Sequence, residues 1–304
     1  MDKQVGPDDE QPHRAARERA FRRYAHINKQ LLSELYYTQG LSTVEIARHL
    51  GVSRNVIWEY MEMYRLKRRA AGSAGALKRR SHHFDESYFE DIDTDDKAYI
   101  LGFILGDGTL VDRGSSKRLQ IAIADDDGDL LEAMAIRLGD RSLVRRNIRP
   151  LSPTEKSKAL LRCDSVRLVN DLIRQGIPLG RKSGGEPFIQ LSNDGLTWSF
   201  LRGVFDADGN IRVYERSGIV KGKWYGPYQR AKWSITCGKP FVHGLRDFLL
   251  GQGFLLAKRC IQPKQGTGLI EIADQNTIRE IGARLYQYSS LWLQRKKAIF
   301  ERLG

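Results

Sequence analysis

Cysteine is scarce in this sequence, and its positions exclude the common cysteine-based sites. The 304 residues include three cysteines, Cys163, Cys237 and Cys260, and no Cys-x-x-Cys pair. This wide spacing supports neither a zinc site nor a disulfide framework. We therefore expect reduced thiols that are mostly buried.

Long apolar runs are also missing. No stretch reaches the roughly 20 apolar residues that span a bilayer. The polar and acidic residues 1–12 contain no apolar segment of the kind found in a secretory signal. We expect a cytoplasmic protein that does not contact a membrane.

Acidic side chains are outnumbered by basic ones. The chain has 50 Lys and Arg against 37 Asp and Glu, a net charge of +13, with an ordinary hydrophobic content of 41%. Its length leaves room for two or three domains with a sizeable core. A basic balance of this size is typical of proteins that bind a polyanion, and it supports a nucleic-acid partner without establishing one.

One nine-residue segment occurs twice in the chain. Residues 100–108 read Ile-Leu-Gly-Phe-Ile-Leu-Gly-Asp-Gly, and residues 201–209 read Leu-Arg-Gly-Val-Phe-Asp-Ala-Asp-Gly. Small residues four positions apart, Gly102 and Gly106 in one copy, lie on one face of a helix and let two backbones approach closely. The repeat therefore predicts two helices that pack against each other, the first of them buried on nearly all sides.

Each copy ends in Asp-Gly, which on its own is a common hairpin signal. Two copies in register instead predict that the crossing helices bring Asp107 and Asp208 together. Two like charges at short range need a cation between them, so we predict a divalent metal site. Asp206 has no acidic counterpart in the first copy, where Leu105 stands. We predict that Asp206 faces solvent or forms a weak intrahelical pair with Arg202.

The same order of elements follows each copy, which predicts an α+β fold. Apolar spacing favours the order helix, two strands, helix, two strands, helix in both parts. We predict two pseudosymmetric αββαββα halves with antiparallel sheets, at residues 95–194 and 195–304. In the first half the strands are predicted at 109–112, 117–124, 142–149 and 158–163, with helices at 127–138 and 166–175. In the second half a loop is predicted at 217–227, helices at 240–250 and 276–286, and strands at 255–262 and 269–272.

The strands alternate between apolar and polar residues. An antiparallel four-stranded sheet with one basic face fits a DNA major groove. A solvated surface position is the alternative for each candidate taken singly. The candidate DNA-binding residues on these faces are Arg118, Gln120, Arg145, Arg162, Arg212, Arg230 and Lys232.

Residues 27–66 contain a pattern that resembles the helix-turn-helix of DNA-binding proteins. Ala47 is small where two helices would cross, Gly51 allows a tight turn, and Ser53 is placed to cap the second helix. The resemblance implies a small all-α domain. It would present Arg54, Asn55 and Trp58 to DNA. A helical hairpin without a DNA role is the alternative.

Two segments flank this predicted domain. Residues 1–26 are predicted to be a disordered or basic helical arm, and residues 67–94 a basic linker. Residues 1–84 carry 16 basic and 9 acidic side chains, a net +7. We expect the linker arginines to lie along phosphates, with ordinary solvated charges as the alternative. These arginines are Arg68, Arg69, Arg79 and Arg80.

The two motifs resemble those of the double-motif LAGLIDADG homing endonucleases, and the resemblance extends from about residue 95 to the C-terminus. It implies a site-specific endonuclease that hydrolyses both strands of a long, asymmetric DNA target. It implies that Asp107 and Asp208 hold Mg²⁺ or Mn²⁺, with the backbone carbonyls of Gly106 and Ala207 as further ligands.

The resemblance also implies one lysine from each half near the metal. Lys182 and Lys296 are the matching residues, each preceded by an arginine, and the neighbouring Lys297 is the alternative to Lys296. In that family such a lysine polarises the attacking water or stabilises charge on the phosphate. A solvated basic loop is the alternative for either lysine.

Two other functions stay open from the sequence. A transcription regulator could retain the scaffold only to bind DNA, and an RNA maturase could use it to help an intron fold. Retention of both Asp107 and Asp208 favours the nuclease, because a binding protein has no need of two carboxylates near phosphates. The sequence shows no splicing signature, and we expect a monomer, free-standing or intron-encoded within a mobile element, without an obligate protein partner.

Overall fold

The chain divides into two compact units, residues 1–81 and 82–304. The structure, a computed structural model, describes residues 24, 26–67, 82–114, 116–149, 156–180, 182 and 184–303. The predicted N-terminal arm lies almost entirely outside these residues. The predicted linker lies outside them from residue 68 to 81, a segment that includes Arg68, Arg69, Arg79 and Arg80.

The first unit consists of short helices around a small apolar core. Helix α1 continues directly into a π-helical turn, and a tight turn with Gly51 at φ +65° separates the last two helices. A serine caps the N-terminus of each of these two helices. Ser42 Oγ accepts a hydrogen bond from Glu45 N (3.1 Å), and Ser53 Oγ accepts one from Val56 N (3.5 Å). The elements are α1 Lys29–Ser33, the turn Glu34–Thr38, α2 Thr43–His49 and α3 Arg54–Met63.

The second unit contains the first αββαββα half, as the sequence predicts. Its strands form one antiparallel sheet in the order β1-β2-β4-β3. The elements are α4 Asp95–Asp107, β1 Gly108–Asp112, β2 Lys117–Ala124, α5 Gly128–Leu138, β3 Val144–Ile148, β4 Lys158–Asp164 and α6 Val166–Arg174.

The second half repeats this order and adds one helix. Its sheet has the matching order β5-β6-β8-β7, so the predicted α+β class and the pseudosymmetry are confirmed. The elements are α7 Asp194–Asp208, β5 Gly209–Val220, β6 Lys223–Cys237, α8 Lys239–Gly251, β7 Ile261–Pro263, β8 Gly268–Ile272, α9 Gln275–Tyr286 and α10 Gln294–Leu303.

One apolar core runs through both halves of the second unit. The sheets turn their apolar faces inward, so Leu119 and Ile121 in one half and Trp233 and Ile235 in the other are buried. Phe205 of α7 stacks on Trp233 with ring centroids 5.5 Å apart. The buried free thiols of Cys163, Cys237 and Cys260 confirm the expectation for the cysteines. Among the described residues, no helix combines the length and apolar character needed to cross a membrane.

Four features of the second unit differ from the prediction. Residues 82–94 are not linker, because Tyr88 and Phe89 pack into the core of the first half. The predicted strand 255–262 is reduced to β7, and helix α10 has no counterpart in the prediction. The predicted loop 217–227 is strand: β5 and β6 pair as far as residues 220 and 223, with an irregularity in register between Arg216 and Gly218. Pro227 is tolerated because it falls at this irregularity, where the ladder does not require its missing N–H.

Candidate active site

Helices α4 and α7 cross with their backbones in direct contact. A Cβ atom on Gly102 would overlap the carbonyl oxygen of Phe200, and one on Gly203 would overlap the carbonyl oxygen of Tyr99. Only glycine permits such an approach at both positions. The small residues of the repeat therefore fix the crossing of the two motif helices, as predicted.

The crossing brings the C-terminal ends of the two motif helices together. A Cβ on Gly106 would overlap the side chain of Ala207 and would lie 3.4 Å from Oδ2 of Asp208. Asp107 is half-buried and Asp208 is exposed when the whole residue is considered, but protein groups surround both carboxylates closely enough to desolvate them in part. The two carboxylates thus lie at the joint end of the α4–α7 pair, each followed by the first strand of its half.

The surroundings of the two carboxylates favour their uncharged forms. Burial, together with the charge of Asp208, raises the pKa of Asp107 above its usual range. Burial also raises the pKa of Asp208, and the nearby Glu186 adds to this effect. The charges of Lys182 and Lys296 oppose both shifts. Burial is thus the main cause of both shifts, and the two carboxylates lie close enough for the charge of Asp208 to act on Asp107.

Lys182 lies in the same open pocket as Asp107. The pocket, of about 760 Å³, is lined by Asp107, Lys182 and β1. The segment before the lysine is held against β1, because Gly180 N donates a hydrogen bond to Leu110 O (2.9 Å). Burial lowers the pKa of Lys182, while Asp208 and Asp107 act to raise it. Within the described part of the chain, the Lys182 ammonium has no hydrogen-bond partner.

Lys296, at the start of α10, is placed differently. Its Nζ donates to three backbone carbonyls at the C-terminal end of α7, Phe205 O (2.6 Å), Asp206 O (2.8 Å) and Gly209 O (2.6 Å). An ammonium has three N–H donors, and these bonds use all of them. Burial lowers the pKa of Lys296 to about 8. The two lysines that the sequence predicts as equivalents are therefore not equivalent in their contacts.

The predicted placement of Asp206 is wrong. This side chain is 1% exposed and accepts hydrogen bonds from Tyr99 Oη (2.8 Å), Tyr286 Oη (2.9 Å) and Leu293 N (2.7 Å). Burial raises the pKa of Asp206, and these donors act against the shift. Its role is therefore to anchor the segment that precedes Lys296, since two of the three donors come from residues 286–293.

Arg202 does not pair with Asp206 either. Its guanidinium is 1% exposed and donates to Asp95 Oδ2 (2.7 Å), Leu285 O (2.9 Å) and Leu291 O (3.0 Å). The pair between Arg202 and Asp206 was predicted only from their spacing of four positions on one helix. Because the guanidinium is buried, each of its donors needs an acceptor, and the C-terminal segment supplies two carbonyls. Arg202 and Asp206 together fasten residues 285–293 to α7.

The donor set at the helix ends fits a hard divalent cation. Mg²⁺ is held in proteins by one or two carboxylates and completes its shell with water or substrate oxygens. Asp107 and Asp208 supply two carboxylates, and a cation between them would reduce their mutual repulsion. Among the described residues, no group of three or more His, Cys, Asp or Glu is arranged to hold a metal. Of the side chains that the structure describes, Asp107 and Asp208 would therefore be the ligands of any ion at this place, and the carbonyls of Gly106 and Ala207 stay predicted ligands.

The predicted DNA-binding residues of the sheets lie on the faces opposite the core. Gln120 is opposite Arg162 in the register, and Arg212 is opposite Lys232. Several of these side chains already have acidic partners: Asp164 accepts from Arg118 (2.6 Å) and Arg162 (2.8 Å), and Glu271 accepts from Lys232 (2.8 Å). Arg145 and Arg212 are exposed and Arg230 is half-buried.

The candidates in the first unit lie at the start of α3. Arg54 and Asn55 are exposed, and the Arg54 guanidinium lies 5.8 Å from the ring centroid of Trp58. The first turn of α3 therefore has a polar, basic surface. Whether it contacts DNA stays a prediction.

The sequence gives little signal for three residues that shape the site. Tyr99 and Tyr286 bind Asp206 from positions 107 and 80 residues away. Glu186 is buried, accepts a hydrogen bond from Gly184 N (3.1 Å) and acts on the pKa of Asp208. One feature of the sequence could have indicated a buried contact here: Asp206 is an acid that has no counterpart in the first copy of the motif.

Comparison with known proteins gives matches to solved structures alone. No family model matches the sequence, and no curated protein matches it. The LAGLIDADG meganuclease I-AabMI bound to uncleaved DNA matches at 13% identity, covering 69% of this chain and 89% of that one, with a TM-score of 0.45. The LAGLIDADG homing endonuclease I-SmaMI bound to cleaved DNA matches at 12%, covering 68% and 86%, with a TM-score of 0.44. The LAGLIDADG homing endonuclease I-GzeII in complex with its DNA target matches at 12% identity, covering 68% of this chain and 87% of that one, with a TM-score of 0.44. Over about two thirds of its length, this chain is similar to solved structures of LAGLIDADG homing endonucleases.

Proposed function

We propose that the protein is a site-specific DNA endonuclease of LAGLIDADG type that cuts both strands of a long, asymmetric target. The observation that carries this proposal is the pair of carboxylates, Asp107 and Asp208, at the joint end of two motif helices. Each half of the unit supplies one acid, which is the arrangement needed to act once on each DNA strand.

The sheets are suited to bind the substrate. Each half has one four-stranded antiparallel sheet with a polar face, and basic side chains on that face can bind phosphates and base edges. The net charge of +13 supports association with a polyanion. The pseudosymmetric halves differ in sequence, so the two halves of a target need not be alike.

The chemistry follows from the groups near the carboxylates. Asp107 and Asp208, with the carbonyls of Gly106 and Ala207, would hold Mg²⁺ or Mn²⁺. Such an ion would supply positive charge that stabilises the phosphodiester as it is hydrolysed. The Lys182 ammonium, which has no hydrogen-bond partner among the described residues, lies in the pocket beside Asp107 and would stabilise negative charge on the phosphate or protonate the leaving oxygen. Lys296 holds the end of α7 in place.

A test needs a DNA target, which can be selected from a library of randomised duplexes incubated with the protein and Mg²⁺. We expect cut duplexes to share a sequence, and EDTA to abolish cutting. Asp107→Asn and Asp208→Asn should each lower the rate of double-strand cleavage by at least about 100-fold. Asp247→Asn, a change of an exposed acid on α8, is the matched control and should cut normally.

Cleavage by both Asn variants at the parental rate would show that the carboxylates are not the reactive groups. Tight, EDTA-insensitive binding of a selected duplex without cleavage of either strand would instead identify a DNA-binding regulator.

A further inference from the structure

The first hairpin of the second half is much longer than its counterpart in the first half. Strand β5 has 12 residues against 5 in β1, and β6 has 15 against 8 in β2. Each strand is therefore seven residues longer in the second half. This is the largest departure from pseudosymmetry between the two sheets.

The additional residues form a two-stranded ribbon beyond the sheet. Strand β8 pairs with β6 only at residues 233–237, whereas β5 pairs with β6 as far as residues 220 and 223. Residues 214–230, called the β5–β6 ribbon below, thus pair with no third strand in the part of the chain that the structure describes. On one face of the ribbon, Arg216 is opposite Tyr228 and Tyr214 is opposite Arg230, which continues the row begun by Arg212 and Lys232.

The β5–β6 ribbon combines exposed apolar side chains with positive charge. Ile219 is 71% exposed and Trp224 is 64% exposed, and Tyr225 and Tyr228 are exposed as well. The guanidinium of Arg230 lies 5.4 Å from the Tyr228 ring centroid. The ribbon has four basic residues against one acid, Arg216, Lys221, Lys223 and Arg230 against Glu215. A free ribbon with large exposed apolar groups indicates a binding surface.

We propose that the β5–β6 ribbon binds the major groove of the DNA target beyond the segment covered by the two sheets, and on the side of the second half only. This inference rests on the proposed function. A two-stranded β-ribbon fits the major groove of B-DNA. Seven residues at about 3.3 Å each extend roughly 23 Å, which corresponds to about seven base pairs at roughly 3.4 Å per pair.

The charge of the ribbon favours DNA over a protein partner. Arg216 and Arg230 can contact phosphates or guanine edges, and apolar side chains such as Trp224 can pack against thymine methyl groups. The basic row is continuous with the polar face of the second sheet, so one duplex can run along both. The first hairpin ends at the pair Asp112 and Lys117 and offers no such extension.

The test compares targets selected from randomised duplexes by two routes, binding and cleavage. For the parent protein we expect the specified base pairs to extend further from the centre on one side, by up to about seven pairs. The triple variant Arg216→Ala, Trp224→Ala, Tyr228→Ala removes exposed side chains only. It should lose selection for those outer pairs and bind the parental target about tenfold or more weakly, while still cutting at the same position.

Arg113→Ala, at the turn of the short first hairpin, is the matched control and should leave the outer pairs of the long side unchanged. A target of equal length on both sides, or the same selected target for parent and triple variant, would overturn the inference. The inference would also be overturned if the parent sedimented as a dimer, the triple variant sedimented as a monomer and both selected the same target. The ribbon would then be an interface between two copies of the protein. Selection by binding reports on the ribbon even if the protein cuts no DNA, so its failure is distinct from failure of the proposed nuclease.

Discussion

At the scale of single residues, the two lysines of the site have different contacts, which predict separate tasks. The Lys182 ammonium faces the pocket beside Asp107, where it can reach a substrate. The Lys296 ammonium is fully used by three carbonyls of α7. Repeat position predicts both lysines as candidates, yet contacts alone distinguish a group that can act on a phosphate from one that supports the backbone.

Substitution of each lysine should separate these tasks. Lys182→Met should lower the single-turnover cleavage rate by about 100-fold or more, since it removes one stabilising donor, with little change in stability. Lys296→Met leaves three carbonyls without their donor and should lower the free energy of unfolding by about 1–3 kcal/mol. Rates on a selected target and denaturant unfolding would measure the two effects.

Lys297→Met is the control for the second substitution, because the Lys297 ammonium lies over the Trp292 ring at 3.8 Å and contacts no site carbonyl. Equal stability of the Lys296→Met and Lys297→Met proteins would contradict the supporting role of Lys296.

The type of a residue does not show whether its side chain is buried, and this limits what the sequence can predict about the site. Asp107 and Asp208 are predictable because they repeat in register. Asp206 is not, since its environment depends on Tyr286 and Leu293, which are distant in the sequence and reach it only through the fold. A buried carboxylate and a solvated one look the same in a sequence.

At the scale of elements, the crossing of α4 and α7 depends on two glycines. Gly102→Ala would place a methyl group against the Phe200 carbonyl, with no flexible side chain that could move aside. We expect a loss of about 1–3 kcal/mol in the free energy of unfolding, as in overpacked cores. Denaturant unfolding monitored by circular dichroism would measure it.

Gly251→Ala is the matched control for this prediction. Gly251 is the last residue of α8, and a Cβ there would meet no atom within 4 Å. The substitution should be neutral or stabilise the protein by up to about 1 kcal/mol, because alanine favours helix. Equal effects at positions 102 and 251 would mean that helix propensity, and not the crossing, governs Gly102.

Helices and strands could be predicted where the hydrophobic periodicity of the sequence is strong. They were harder to predict where pairing between strands determines the structure. The αββαββα order follows from alternation and helical spacing. Residues 217–227 were predicted as a loop, and their sequence contains Gly218, Gly222, Gly226 and Pro227, which are typical of turns. Pairing between the two strands overrides those local signals.

At the scale of the whole molecule, two basic units share one chain. Residues 1–84 carry a net charge of +7, and the remainder carries +6. If the first unit binds the same DNA, Arg54→Ala should weaken binding, because it removes a cation from the exposed start of α3. The slope of log affinity against log salt should fall by about 0.9 if that cation contacts a phosphate.

Lys29→Ala, at the start of α1, is the control for this prediction and should leave the slope unchanged. Titrations of a selected duplex at several salt concentrations would supply both slopes. An identical slope for the parent and Arg54→Ala would count against a phosphate contact by this residue. The cleavage rate at saturating protein should be the same for all three proteins.

The glycine crossing has a further consequence for redesign of the protein. Because the backbones of α4 and α7 touch at Gly102 and Gly203, the spacing between Asp107 and Asp208 is set by main-chain geometry. For the proposed nuclease, the stagger between the cuts on the two strands would then be set by the helix pair, and the recognised sequence would be set by the sheets. Exchange of sheet residues should therefore yield enzymes with new targets and the same overhang.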